Sequence, residues 1–209
     1  MAPTLDSYVS DVRGLIHDSQ GKYFSDTQII RYVNKARVQV VQSTGMNREV
    51  RSGTSYNWVT GIVTYAWTSD ILAVVSPIFF WWNNTRFPLF SKSLYDLNLM
   101  YGLDVAFRQY PVAYAEVGRS ILVRPIPDQA YTCEWDCIVA PVDFTGTTSG
   151  GVYIETENII YPPYTEMVNT WAAYLAKKDD QSYTEANGLL NEYMSLLAYM
   201  VGSSINRKL

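Results

Sequence analysis

Leu5, Tyr8, Val9, Val12, Leu15 and Ile16 recur at three- and four-residue spacing, which lines one side of a helix with apolar side chains. Gly21 stops that pattern. Ser25-Asp26-Thr27-Gln28 then reads as a capping box, in which the Ser hydroxyl accepts the N–H three residues on and the Gln side chain reaches back. Ile29, Ile30, Val33, Ala36, Val40 and Val41 repeat at helical spacing up to Gly45, a residue suited to the left-handed position past a helix end. The short Gly21–Phe24 link predicts an antiparallel helix pair over residues 4–45.

From Tyr56 to Val139 the vocabulary changes to β-branched and aromatic residues punctuated by Gly, Pro and Asn, which predicts a β-rich insert over residues 56–140. Asn83-Asn84 between Phe79–Trp82 and Arg86–Phe90 marks a hairpin, because Asn tolerates the positive φ of a tight turn. Ser93-Leu94-Tyr95-Asp96 opens a short helix that Gly102 ends. Val112–Val117, Ser120–Arg124 and Tyr131–Val139 predict a second meander of three strands. In the last of these Tyr131, Cys133, Trp135, Cys137 and Val139 share one face.

The polar stretch Thr145–Gly151 buries too little apolar surface to order itself, so residues 143–158 are expected to form a mobile arm. Pro162-Pro163 set the first turn of a helix carrying Tyr164, Met167, Val168, Trp171, Ala172 and Leu175. Asp179-Asp180 break it, and Ser182-Tyr183-Thr184-Glu185 is a second capping box. It opens a final helix with Leu189, Leu190, Tyr193, Leu196, Leu197, Met200 and Val201, giving a second helix pair over residues 162–202 and a tail over 203–209. The expected fold is α+β. A small helical bundle from the N- and C-terminal helix pairs carries an inserted antiparallel β-rich region, all within a single domain spanning residues 1–209.

The 209 residues are 48% hydrophobic and 17% charged, enough for a real core and far from a disordered composition. Ile71–Val75 and Ile78–Trp82 are interrupted by Ser76-Pro77 and fall short of a bilayer span, which takes about 20 apolar residues, so no membrane partner is expected. Met1–Asp6 lacks the basic and apolar regions of a signal peptide, which points to folding in a cytoplasm. Sixteen Lys and Arg against 20 Asp and Glu give a net charge of −4, opposite in sign to the basic excess that phosphate binding demands.

Candidate chemistry is sparse. Cys133 and Cys137 sit four apart in a strand, so their Cα atoms are about 13 Å apart, beyond the roughly 7 Å that a disulfide tolerates. His17 is the only histidine, too few for a zinc site with these thiols, and both cysteines read as buried free thiols. His17 at a helix end interacts with the dipole and needs no catalytic role. No glycine-rich phosphate loop, nucleophile elbow or HExxH sequence is present. No catalytic, metal or cofactor-binding residue is assigned, and a Cys-dependent hydrolase on Cys133 or Cys137 is the rival reading from another class.

The aromatic residues are more informative, since 17 Tyr and 6 Trp exceed what a small core hides. Tyr, Trp and Arg dominate interface hot spots because they bury large area at low entropic cost. Phe79, Trp81, Trp82 and the neighbouring Arg86 are therefore the candidate residues of an interface between copies. At the C-terminus Arg207, Lys208 and Leu209 combine two cations with an apolar anchor, a candidate contact to an acidic partner groove.

Three stretches resemble one family. Ser10-Asp11-Val12-Arg13-Gly14-Leu15-Ile16-His17-Asp18, followed by Tyr23 through Arg37 and Ser43-Thr44-Gly45, resembles the N-terminal helix pair of tailed-bacteriophage head–tail adaptor (connector) proteins. Leu122 through Tyr131 with Glu134-Trp135-Asp136-Cys137 resembles the strand–turn–strand of that group, and Ile160 through Glu166 the start of its third helix. The resemblance implies a structural, non-enzymatic virion protein. Such a protein forms a ring, usually of twelve copies, in the neck between the capsid portal protein and the tail or nozzle protein. DNA passes through the ring without sequence-specific binding, and the C-terminal tail reaches the portal. Assembly in the host cytoplasm is the matching expectation. A stopper, nozzle or tube component of the tail or neck is the neighbouring alternative.

Overall fold

The structure, a computed structural model, describes residues 4–102, 107–144, 160 and 162–206. Its elements are α1 (Leu5–Leu15), α2 (Asp26–Thr44), β1 (Arg48–Arg51), β2 (Thr64–Ala66), β3 (Ile71–Trp82), β4 (Thr85–Ser91) and α3 (Leu94–Tyr101). They continue with β5 (Ala113–Val117), β6 (Ser120–Arg124), β7 (Thr132–Val139), α4 (Pro162–Asp179) and α5 (Tyr183–Asn206). Met1–Asn47 and Ala140–Leu209 form one unit and Arg48–Val139 the other.

In the helical unit the apolar stripes face inward as their spacing predicts. Leu5, Tyr8, Val9 and Val12 of α1 are buried, as are Ile29, Ile30, Val33, Ala36, Val40 and Val41 of α2. The hydroxyl of Ser25 accepts the Gln28 N–H at 3.3 Å while Gln28 Oε1 accepts the Ser25 N–H at 2.9 Å, which closes the capping box. Gly45 ends α2 at φ +64°. The residues between α1 and α2 are held by a carboxylate. Asp18, buried, accepts N–H groups from Lys22 and Phe24 at 2.8 and 3.0 Å and pairs with Arg13 at 3.1 Å. Arg13 also binds the Phe24 carbonyl and Asp26. Burial alone would raise the Asp18 pKa, but the backbone donors Phe24, Lys22 and Tyr23, with Arg13, outweigh it and hold the carboxyl below its ordinary value.

α4 buries Met167, Val168, Ala172, Ala173 and Ala176, and Trp171 lies 4.6 Å ring to ring from Tyr193 of α5. At the head of α5 the side chains do not make the expected box. Glu185 pairs with Lys177 at 2.6 Å and the Ser182 hydroxyl donates to Asp180. α5 runs on to Asn206, so residues 203–206 of the expected tail are helical.

The sheet unit overturns the expected architecture. The seven strands form one mixed sheet in the order β1-β7-β3-β4-β5-β6-β2. This curled sheet makes up most of the core, where a small helical bundle with an antiparallel insert was expected. β4 and β5 pair in parallel, Phe90 opposite Ala113, because α3 carries the chain back between them. β7 does not complete a meander with β5 and β6. It pairs with β3 and β1 instead, while β6 pairs with β2. The strand β1 also begins at Arg48, upstream of the change in composition. The reason is physical: alternation sets which face a residue takes, but the choice of partner strand is made by distant side chains.

The inner face of the sheet holds Trp58, Ile78, Phe80, Leu89, Tyr114, Ile121, Val123, Cys133, Trp135 and Cys137. Phe80 meets Trp58 and Tyr131 at 5.3 Å each, and Trp135 meets Tyr56 edge to face at 5.4 Å. Ser76-Pro77 lies inside β3 where the register with β7 shifts between Val75 and Phe79, a place where the missing proline N–H costs no ladder bond. Asn83 and Asn84 turn the β3–β4 hairpin with φ of 48° and 59°.

Candidate interaction surface

Alternation along β3 sends Ile78, Phe80 and Trp82 inward and Phe79 and Trp81 outward. Trp82 is accordingly half-buried, stacked on Tyr110 at 5.4 Å and tilted against Phe87 at 5.9 Å. Phe79, Trp81 and Arg86 meet on the outer face. The Arg86 guanidinium sits 3.6 Å above the Phe79 ring and pairs with Glu134 Oε2 at 2.8 Å, while Trp81 Nε1 donates to Glu134 Oε1 at 3.1 Å. One carboxylate on β7 therefore orients both an indole and a guanidinium. Trp81 is held in this way while 40% exposed.

The same face continues to either side. Arg86, Pro88 and Phe90 alternate outward on β4, and Phe90 is 54% exposed. Across β7, Arg48 of β1 pairs with Asp136, which raises the Arg48 pKa, and Val50 stands opposite Asp136, 59% exposed. Beyond β4 the outer face is covered: Leu97 of α3 packs on Ala113 and Ala115. The helix turns its other flank outward, with Tyr95 74% and Leu99 72% exposed. α3 thus closes one half of the outer face and leaves Val50, Trp81 and Phe90 uncovered on the other, with Phe79 lying under Arg86.

Phe90, Val50, Glu134, Tyr95 and Leu99 belong to this surface, yet spacing alone does not single them out. The β4 alternation places Phe90 beside Arg86. The register with β1 and β7, which the sequence does not reveal, decides that Val50 and Glu134 join them. Arg207, Lys208 and Leu209 lie outside the described residues, as does the arm 143–158 apart from Asp143 and Phe144.

Neither thiol is placed for nucleophilic chemistry. Cys133 and Cys137 are fully buried on the inner face, and burial pushes both pKa values up to about 12. Their S–H groups point at the Tyr131 and Trp135 carbonyls at 3.4 and 3.5 Å. No group of three or more His, Cys, Asp or Glu side chains among the described residues could hold a metal ion. No described helix is long and apolar enough to cross a membrane. Compared with the models of known protein families and with curated proteins, the chain matches none.

Proposed function

We propose that this chain is a structural virion protein, a head-to-tail adaptor whose copies form a ring joining the portal vertex to the tail and extending the DNA channel. The observation that carries the reading is the outer sheet face, where Trp81, Phe90 and Val50 stand exposed around the Arg86–Glu134 pair. Exposed apolar side chains around an indole that a carboxylate holds in place form a preorganised contact surface, of the kind that covers itself with a second protein. The resemblance of the α1–α2 pair and of residues 122–137 to the adaptor family supplies the identity of that second protein: a neighbouring copy around the ring, with portal and tail above and below.

The net charge of −4 fits a channel that lets DNA pass without holding it. The buried thiols argue against the hydrolase reading, since a cysteine nucleophile needs an exposed thiolate. The test is negative-stain imaging of the purified protein mixed with its portal. Rings seated on isolated portals are the expected result. Binding only after another neck protein is in place would make this chain a stopper, nozzle or tube component instead.

A further inference from the structure

A groove of about 580 Å3 runs along the helical unit, lined by Asp11 and Gly14 of α1, Glu166, Asn169 and Thr170 of α4, and Glu192 of α5. Three carboxylates face it and no cation does. Asn169 is 6% exposed; its Nδ2 donates to Asp11 at 3.1 Å, which fixes the amide orientation and leaves the buried Oδ1 without a donor. Gly14, in the last turn of α1, also lines the groove, and a Cβ there would meet nothing within 4 Å, so a longer side chain would project into open space.

Such a groove calls for a guest that is cationic and rich in donors. A metal ion needs its carboxylates converged on one point, and no described cluster offers that. A guanidinium spreads five N–H donors over a wide fork and suits separated carboxylates together with a lone carbonyl. The same unit carries a basic ridge to match: Arg31 and Lys35, one turn apart on α2, are both exposed, on the α2 wall of a second hollow that Asn34 and Phe144 also line. Asp143 lies beside them, and the ridge remains net positive. The ion pairs among the described residues include neither Arg31 nor Lys35, and none of Asp11, Glu166 or Glu192.

We propose that copies of this chain associate head to tail through their helical units, the Arg31–Lys35 ridge of one copy seated in the Asp11–Glu166–Glu192 groove of the next. Ridge and groove are different surfaces of one subunit, so the contact is heterologous and propagates around a ring. It rests on the ring reading and adds to it a second lateral contact, separate from the outer sheet face.

The test is a charge swap. Glu166→Lys with Glu192→Lys, and separately Arg31→Glu with Lys35→Glu, are each expected to weaken self-association at low salt by about a hundredfold in sedimentation velocity. Mixed in equal amounts, the two variants present complementary grooves and ridges again, and association with one-to-one content returns. Gly14→Met, which adds no charge and fills part of the groove, weakens it too in a variant that melts like the wild type. The proposal is overturned if either variant assembles like the wild type, if two folded variants fail to rescue each other, or if the wild type does not self-associate at low salt. Portal imaging separates the two readings. Charge variants that ring normally on portals remove this contact and spare the adaptor reading. A working charge swap in a protein that never binds portals does the reverse.

Discussion

The helical unit and the sheet unit of this protein bury their apolar side chains by different routes. In α1 and α2 every buried position is set by residues three or four apart, and the ends are set by Thr4, Ser25 and Gly45 within the same few residues. In the sheet, β7 is flanked by β1 and β3, which precede it by more than 40 residues, and the inner face is complete only when all seven strands are aligned. Helical order is thus assembled from local contacts and sheet order from distant ones. A substitution in the sheet core should therefore reach further than one at a helix end.

The largest expected effect follows directly. Trp135→Ala removes a fully buried indole at the centre of the inner face and should cost about 3–5 kcal/mol, read as a lower urea midpoint with loss of near-ultraviolet signal from the sheet aromatics. A loss below about 1 kcal/mol would mean that the sheet core tolerates local damage as a helix end does.

The two neighbouring indoles of β3 sharpen the comparison within the sheet. Trp82→Ala removes the ring that packs on Tyr110 and Phe87 and should lower stability by about 2 kcal/mol with little direct effect on assembly. Trp81→Ala, at an outward position, should change stability by less than about 1 kcal/mol and weaken ring formation about tenfold in sedimentation. The opposite ranking would show that the outer face serves folding and the inner edge serves contact.

At the helix end the expected loss is smaller. Ser25→Ala removes the hydroxyl that accepts the Gln28 N–H and leaves it only the Ser25 carbonyl, which should cost about 1 kcal/mol in thermal or urea unfolding, with assembly unchanged. Asp18 provides the mildest test, confined to acid. Its carboxyl titrates below 3.8 in the folded chain, so the stability it contributes is fully present above that value and is lost as pH falls through the lowered folded pKa. Asp18→Asn should flatten the stability profile in that acid window and leave its shape at neutral pH unchanged.

These differences explain what was legible. Ser25 with Gln28, Gly45, the Asn83-Asn84 turn and the inward face of Cys133, Trp135 and Cys137 follow from spacings of two to four residues, which covalent geometry turns into hydrogen bonds and faces. The Arg13–Asp18 anchor was not legible, because the other partners of Asp18 are backbone N–H groups that no side-chain pattern marks. Of the candidate surface, Trp81 and Arg86 could be named from sequence. Their orientation by Glu134 depends on β3 and β7 being neighbours.

The amino-acid sequence by itself thus determined where α2 begins and ends, which side of each helix or strand is apolar, and that the chain is rich in aromatic side chains. Only the tertiary structure decided that β4 and β5 run parallel, that β7 inserts between β1 and β3, and that α3 shields half of the outer face while Trp81 and Phe90 stay uncovered. A residue's face depends on its immediate neighbours along the chain. A strand's partner depends on the summed burial of side chains from both ends of the insert, a quantity that exists only once the sheet has closed over its core.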